Sequence, residues 1–113
     1  MILVVCALLA ELRFVRPRAG IEIVAGGVGP VEAALATART LALASKPFDA
    51  VINAGIAGAF RGRARVGDAV VVATEWLADI GLEGGGDIAL PGGEQLVDCE
   101  RASDGLVAAV RSL

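Results

Sequence analysis

The chain has 113 residues, of which 56% are hydrophobic and 20% are charged, and its formal net charge is -3. This length allows one small domain with its own core. The net negative charge argues against electrostatic binding to nucleic acid. The absence of histidine removes the commonest general base and the Ser-His and Cys-His nucleophile pairs. So high an apolar content predicts burial of much of the chain on two faces, or packing against a partner surface.

The cysteines and the first residues bear on metal binding and location. Cys6 and Cys99 form no CxxC pair, so we predict no zinc or other metal site, and no cofactor is indicated. Cys6 lies inside an apolar run and is predicted to pack in the core. The apolar start, Met1–Ala10, is too short for a membrane span and lacks the basic flank of a signal peptide. We therefore expect a cytoplasmic protein that does not bind membranes.

The first quarter of the chain predicts two strands separated by a short helix. The continuous apolar run Ile2–Cys6 is typical of a buried parallel strand. A short helix is predicted over Leu12–Val15, and Pro17 would end it. A second strand is predicted over Ile21–Ala25, and it stops at the glycine-rich turn GGVG.

The rest of the chain continues this alternation. A helix is predicted from Pro30 to Ala44, and its nearly continuous apolar character predicts that it is covered on more than one side. Strands are predicted over Ala50–Asn53 and Ala69–Thr74, and a last helix over Asp104–Leu113, with Ser103 as its cap. The alternation indicates an α/β fold with a mixed, largely parallel sheet flanked by helices.

Glu11 and the turn Asn53–Ala59 are candidates for a functional site. A strand that ends in a glycine turn exposes backbone amides in a crevice, where open α/β sheets bind ligands. Glu11 follows the first strand, so its carboxylate could act as a general base on water. It could equally be a solvated glutamate that the dipole of a following helix favours. Its position alone leaves both interpretations open.

The turn Gly27-Val28-Gly29 could hold an anion at the start of the long helix. A dinucleotide-binding fingerprint needs a small residue where Glu32 stands, and the charge of Glu32 would repel a pyrophosphate. The residues therefore favour a plain tight turn.

Two charged clusters remain open to several interpretations. Arg61, Arg63 and Arg65 alternate in one loop, as a solvated rim, an anion site or a subunit interface would require. Asp79 and Glu83 could form a metal or acid/base pair, or they could lie on the surface beside a glycine tract. The sequence does not decide either case.

Taken together, these segments resemble the purine nucleoside phosphorylase and nucleosidase superfamily. The start of the chain through Glu11 is similar to the first strand and base-bearing loop of that superfamily, and the turn before Glu32 to its entry into a long helix. The most specific part is Asp49–Gly58, followed by Val66-Gly67-Asp68 before an apolar run. The resemblance implies a three-layer fold of the phosphorylase and hydrolase type.

Residues 53 and 56 divide the chemistry within this superfamily. Its phosphorylases carry an arginine where Asn53 stands and a serine where Ile56 stands, and both serve phosphate. Their absence implies water as the nucleophile. Glu11 matches the glutamate that activates this water in the nucleosidases. The resemblance also implies a substrate-binding role for six small or apolar residues: Ala7, Val28, Gly55, Ile56, Ala57 and Gly58.

The same residues indicate a substrate class. Methylthioadenosine/S-adenosylhomocysteine nucleosidases usually have a serine where Ile56 lies. Gly55, Ile56 and the segment 78–83 look more like futalosine hydrolases, which cleave hypoxanthine from futalosine in an alternative menaquinone pathway. An adenosine-type nucleosidase is the alternative, and a non-catalytic nucleoside-binding fragment is another.

The resemblance covers roughly the N-terminal half of a superfamily member. The later half normally supplies a Met-Glu motif that grips ribose and an aspartate that protonates the purine, and neither has a counterpart before Leu113. We therefore expect residues 1–113 to form one partial nucleosidase-like domain that is inactive alone. Its expected partners are a purine nucleoside and further copies of the chain, in a dimer or a larger homo-oligomer.

Overall fold

The structure is a computed structural model that describes residues 1–16, 18–77, 91–92 and 99–112. The chain divides into two compact units, Met1–Arg61 and Gly62–Leu113. In these described ranges, unit 1 contains a three-stranded parallel sheet, one α-helix and a 3-10 helix. Unit 2 contains a two-stranded antiparallel sheet and an α-helix. The predicted α/β class, with a mixed and largely parallel set of strands, is confirmed.

The parallel sheet of unit 1 is built around its first strand. β1 (Ile2–Cys6) lies between β2 (Ile21–Ala25) and β3 (Ala50–Asn53). Ile2 is opposite Ile21 on one side and Ala50 on the other, so all three strands start in register. Their carboxyl ends therefore reach the same edge of the sheet. All three have the bounds predicted from the sequence.

Helix α1 (Pro30–Leu43) packs on β1, as the proline start and the alanine-rich sequence predict. Its half-buried residues follow helical spacing along one face: Ala33, Ala36, Thr37 and Thr40. The two threonine hydroxyls donate hydrogen bonds of 2.7 and 2.8 Å to the carbonyls four residues earlier. Polar side chains can therefore occupy this half-buried face without an unpaired donor.

The core of unit 1 lies in β1. Leu3 and Val5 are 0% and 4% exposed. A Cβ built on Gly26 would lie 3.1 Å from Val5 Cγ1 and 3.3 Å from Ala33 Cα, so a glycine at the end of β2 permits this close packing. The residues that alternate with them in β1, Ile2 and Val4, point to the other face and are only half-buried.

The outer face of α1 differs from the sequence prediction. Val31, Leu35 and Leu43 are 68%, 63% and 73% exposed. Within the described residues α1 is therefore covered on one face only, although its sequence predicts cover on more than one. Its apolar outer face leaves several large side chains in contact with solvent.

The predicted strand Ala69–Thr74 is wrong. The strand in this region is β4 (Thr74–Trp76), which pairs antiparallel with β5 (Cys99–Arg101). Val70 and Val72 precede β4 and are 70% and 53% exposed. A β-branched run favours a strand only where a neighbouring strand can pair with it, and none of the described strands pairs with residues 69–73.

The two short helices differ in detail from the prediction. The helix predicted over Leu12–Val15 is a 3-10 helix that lies earlier, at Leu9–Leu12. Helix α2 (Asp104–Arg111) follows Ser103 as predicted, but the Ser103 side chain makes no capping hydrogen bond. No helix in the described ranges is long and apolar enough to cross a membrane.

Candidate functional site

The candidate site starts from the turn that follows β1. Leu8 is the N-cap of the 3-10 helix, and Glu11 is its third residue. Glu11 Oε2 accepts hydrogen bonds from the backbone N–H groups of Ala7, at 3.1 Å, and Leu8, at 3.2 Å. A glutamate that reaches back to the N-cap N–H is half of a capping box. Glu11 therefore has the structural role expected of a glutamate at a helix start, and one of its carboxylate oxygens, Oε2, performs that role.

The second carboxylate oxygen of Glu11 remains available. Both amide hydrogen bonds end on Oε2, and in the described part of the chain no hydrogen bond reaches Oε1. Glu11 is half-buried, and its two hydrogen bonds hold the carboxylate through Oε2. A carboxylate oxygen held in this way can accept a proton from a water molecule.

Gly55 lies directly against this carboxylate. A Cβ built on Gly55 would lie 3.2 Å from Glu11 Oε2 and 3.4 Å from both Cδ and Oε1. The turn after β3 is held in place by a hydrogen bond of 2.8 Å from the Ala54 N–H to the Val5 carbonyl. The loops after β1 and β3 therefore meet at the Glu11 carboxylate.

The strand order bears on whether this edge of the sheet can bind a ligand. The chain leaves β1 towards β2, and then crosses to β3 on the opposite side of β1. The strand order therefore reverses between β1 and β3. In open α/β sheets, ligands bind at this switch point, outside the carboxyl ends of the strands. Glu11 and Gly55 lie at that position.

The glycine turn after β2 supports the loop that carries Glu11. Gly26 and Gly27 donate backbone hydrogen bonds of 2.7 and 3.1 Å to the carbonyls of Cys6 and Ala7. Gly27 has a φ of 86°, and a Cβ there would lie 2.9 Å from Glu32 Cβ. Glu32 therefore packs against this turn, so its carboxylate is near any anion the turn could bind. The geometry agrees with the tight-turn interpretation.

The predicted substrate-binding residues fall into two groups. Ala7 and Gly55 contact the Glu11 carboxylate. The other four lie on the adjoining turns. Val28 follows the Gly27 turn and is 72% exposed, and Ile56 follows Gly55 and is 84% exposed. Ala57 and Gly58 continue that exposed loop.

Leu8 is a site residue that sequence reasoning missed. Its contribution is a backbone N–H, which every residue except proline has, so its side chain carries no signal. The available signal was the spacing of three residues from Leu8 to Glu11, but a capping box normally begins with serine or threonine.

Cys6 is buried beneath the same loop, as predicted. It is 1% exposed, and its Sγ lies 3.6 Å from the Val24 carbonyl oxygen. Burial raises the pKa of the Cys6 thiol, and the negative charge of Glu11 raises it further. The thiol is therefore protonated at neutral pH and is a core group rather than a nucleophile.

An open groove of about 380 Å³ lies between α1 and the sheet. Its lining is mostly aliphatic and includes Val5, Leu41 and Val51, with Thr37 and Asn53 as its polar side chains. None of the described residues that line it is acidic or basic, and neither Glu11 nor Gly55 is among them. The groove is a gap in the packing of α1 rather than the candidate site.

Of the two charged clusters predicted from the sequence, the structure describes only the arginine cluster. Arg61, Arg63 and Arg65 are all exposed, and Arg65 forms an ion pair of 3.6 Å with Asp68. Asp79 and Glu83 lie outside the described residues, as does the whole segment 78–83.

Comparison with known proteins bears on the family. Residues 9–112 match the profile of the phosphorylase superfamily. A futalosine hydrolase of Streptomyces coelicolor is 45% identical over 67 residues, which are 57% of this chain and 28% of that protein. The chain therefore matches well under two thirds of this relative's length. No solved structure matches.

Proposed function

Because this chain belongs to the phosphorylase superfamily, we propose that it carries the water-activating part of a purine nucleosidase, with Glu11 as the general base. The observation that supports this most is the Glu11 carboxylate at the β1/β3 switch point. Backbone amides hold its Oε2 and leave its Oε1 without a described partner. A base must be fixed in place and still be able to accept a proton.

Water fits this crevice better than phosphate as the nucleophile. The loop 53–60, which begins at the end of β3, contains no cationic side chain. A phosphate beside the Glu11 carboxylate would experience like-charge repulsion without a compensating arginine. A water molecule gains from the same carboxylate, which orients it and accepts its proton.

The proposed reaction is hydrolysis of the N-glycosidic bond. The water oxygen bonds to the anomeric carbon, and Glu11 Oε1 takes the proton that this water loses. The bond from the anomeric carbon to the purine nitrogen breaks, and its electron pair leaves with the purine. The purine then takes up one proton from a general acid. The transition state has oxocarbenium character, so a carboxylate near the ribose ring also stabilises its charge.

We propose futalosine as the substrate, with hypoxanthine and dehypoxanthinyl futalosine as products, in menaquinone biosynthesis. The Streptomyces coelicolor relative with this name supports the choice. Ile56 supports it too, because this exposed apolar side chain stands at the position where methylthioadenosine/S-adenosylhomocysteine nucleosidases usually carry a serine. Methylthioadenosine is the competing substrate that an assay must include.

We propose that the ribose-binding and acid residues come from polypeptide outside these 113 residues, and that this chain is inactive alone. The match to 28% of the relative supports this. The exposed apolar side chains of α1, including Val31 and Leu35, also offer surface for further polypeptide or for a second copy in a homo-oligomer. We also propose that the reaction takes place in the cytoplasm.

The test is hypoxanthine release from futalosine. The chain is assayed alone and together with the product of any adjoining reading frame that encodes a Met-Glu segment and an acidic residue. We expect release from the pair and none from the chain alone. Release by the chain alone would overturn the claim of inactivity, and cleavage of methylthioadenosine but not futalosine would overturn the substrate. No cleavage of either nucleoside by the pair would contradict the proposed function.

A further inference from the structure

We infer that Gly55 is a positioning residue for Glu11, because a side chain at this point would press against the carboxylate. The inference rests on the proposed function in one respect: the position of the carboxylate matters for turnover only if Glu11 is the base. The spatial relationship between the two residues does not depend on the reaction.

The need for glycine at this position is steric. A Cβ on Gly55 would lie 3.2 Å from Oε2 of Glu11 and 3.4 Å from Oε1 and Cδ. It would therefore lie close to all three heavy atoms of the carboxyl group. The contact of 3.2 Å is short enough that Oε2 must move by a few tenths of an ångström. An alanine at position 55 would therefore push the carboxylate away from the turn after β3.

Backbone conformation does not explain this glycine. The glycines with positive φ in the described ranges lie elsewhere: Gly20, Gly27, Gly29, Gly62 and Gly67. Gly55 is outside the left-handed region, so an alanine could adopt its backbone angles. The adjacent Glu11 carboxylate is the remaining obstacle to a side chain.

Gly58 provides a matched control in the same loop. It also lies outside the positive-φ region, and a Cβ built there meets nothing within 4 Å. An alanine at either position removes the same amount of backbone freedom from the unfolded chain. The two substitutions therefore differ mainly in whether the new methyl group meets the carboxylate.

A displaced carboxylate would alter both of its hydrogen bonds. The Oε2 atom that lies closest to position 55 is the one that accepts from Ala7 and Leu8. The amide protons of these two residues therefore report on the carboxylate position. An amide proton that loses hydrogen bonding resonates further upfield, so nuclear magnetic resonance can follow the change.

The first test uses the nitrogen-labelled 113-residue protein. Gly55→Ala should move the amide proton signals of Ala7 and Leu8 upfield, and Gly58→Ala should leave both in place. In a Glu11→Ala background, Gly55→Ala should have no further effect on these two signals, because the methyl group then meets no carboxylate. Unchanged Ala7 and Leu8 signals in Gly55→Ala would overturn the inference.

A variant that fails to fold also gives a decisive result. If Gly55→Ala alone does not fold, the Gly55→Ala/Glu11→Ala double variant should fold, since the clash is removed. A double variant that remains unfolded would contradict the inference, because the damage would then arise without the carboxylate.

The second test is kinetic and uses the pair of chains described above. Gly55→Ala should lower kcat for hypoxanthine release about tenfold, since misplacement of a catalytic group by a fraction of an ångström reduces the rate strongly. KM should stay within about twofold, because the displaced group activates water and does not hold the purine. A rise in KM with an unchanged kcat would contradict a positioning role. If the wild-type pair releases no hypoxanthine but the amide signals still move, the reaction is wrong and the positional relationship stands.

Discussion

The backbone N–H of Leu8 and the carboxylate of Glu11 form a hydrogen bond of 3.2 Å that closes the turn after β1. The same oxygen also accepts from Ala7. Glu11 therefore stabilises the loop that carries it, and this structural role uses a different oxygen from the proposed catalytic one. The two roles can be separated by substitution, because an amide side chain can still accept hydrogen bonds but is a very weak base.

Glu11→Gln should abolish hypoxanthine release by the active pair while the fold is retained. The glutamine oxygen can still accept the N–H groups of Ala7 and Leu8, but it cannot take a proton from water. Glu11→Ala removes both roles and should lower the free energy of unfolding by about 2 kcal/mol, because two hydrogen bonds with a typical net contribution of about 1 kcal/mol each are lost. Urea denaturation and a purine-release assay measure the two effects. Unchanged turnover in Glu11→Gln would remove Glu11 as the base.

Because of Cys6, the free energy of unfolding of unit 1 should vary with pH in the alkaline range. Burial, and then the charge of Glu11, raise the pKa of its thiol above the ordinary value of 9.0. The folded state therefore keeps its proton at pH values where the unfolded state loses it. The resulting stabilisation is fully present below pH 9.0, and it is lost as the pH rises through the pKa of the folded state.

The measurement compares the free energy of unfolding of Cys99→Ser with that of Cys6→Ala/Cys99→Ser across the alkaline range. The difference between them should fall with pH only above the ordinary thiol pKa. Thiolate absorbance can follow the same titration, because the chain contains no tyrosine to obscure it. Adding Glu11→Gln should lower the pKa of Cys6, since a negative charge that disfavours the thiolate is removed. A titration that Glu11→Gln does not shift would contradict the proximity of the two groups.

Ile56→Ser should change the choice of nucleoside without changing stability. Ile56 is 84% exposed, so its truncation removes little buried surface, and the free energy of unfolding should stay within about 0.5 kcal/mol. In the active pair, loss of this apolar side chain should lower kcat/KM for futalosine relative to methylthioadenosine. Ile56→Val is the control, because it keeps an apolar group and should keep the preference. An unchanged ratio of kcat/KM values in Ile56→Ser would show that this residue does not select the substrate.

The strands of unit 1 could be predicted from the sequence because each is a short run composed mostly of aliphatic residues. The same pattern failed at Ala69–Thr74. A run of β-branched residues indicates that the side chains suit a sheet, but it does not indicate whether a neighbouring strand is available for pairing. Pairing depends on tertiary context, and here it begins only at Thr74, opposite Arg101.

Only part of the candidate site could be predicted from the sequence. The position of Glu11 directly after β1 places it at the carboxyl edge of the sheet, and this could be predicted. Its contact with Gly55 depends on how β1 and β3 align, with Val5 opposite Asn53, which no local pattern encodes. Gly55 could be interpreted as a turn glycine, although its conformation does not require glycine. The donors on Ala7 and Leu8 are backbone N–H groups, so no side chain in the sequence indicates them.

Asp68 should stabilise its loop through a backbone hydrogen bond rather than through its ion pair. Its Oδ2 accepts the Arg65 N–H at 2.8 Å, and its own N–H donates to the Arg65 carbonyl at 3.1 Å. The ion pair is longer, at 3.6 Å, and the Arg65 side chain is 90% exposed, so solvent screens it. Asp68→Ala should therefore accelerate hydrogen exchange at the Arg65 amide about fivefold, as expected for a loss of roughly 1 kcal/mol. Arg65→Ala keeps the backbone donor and should change exchange at position 65 less than twofold. Equal acceleration in both variants would assign the stability of the loop to the ion pair instead.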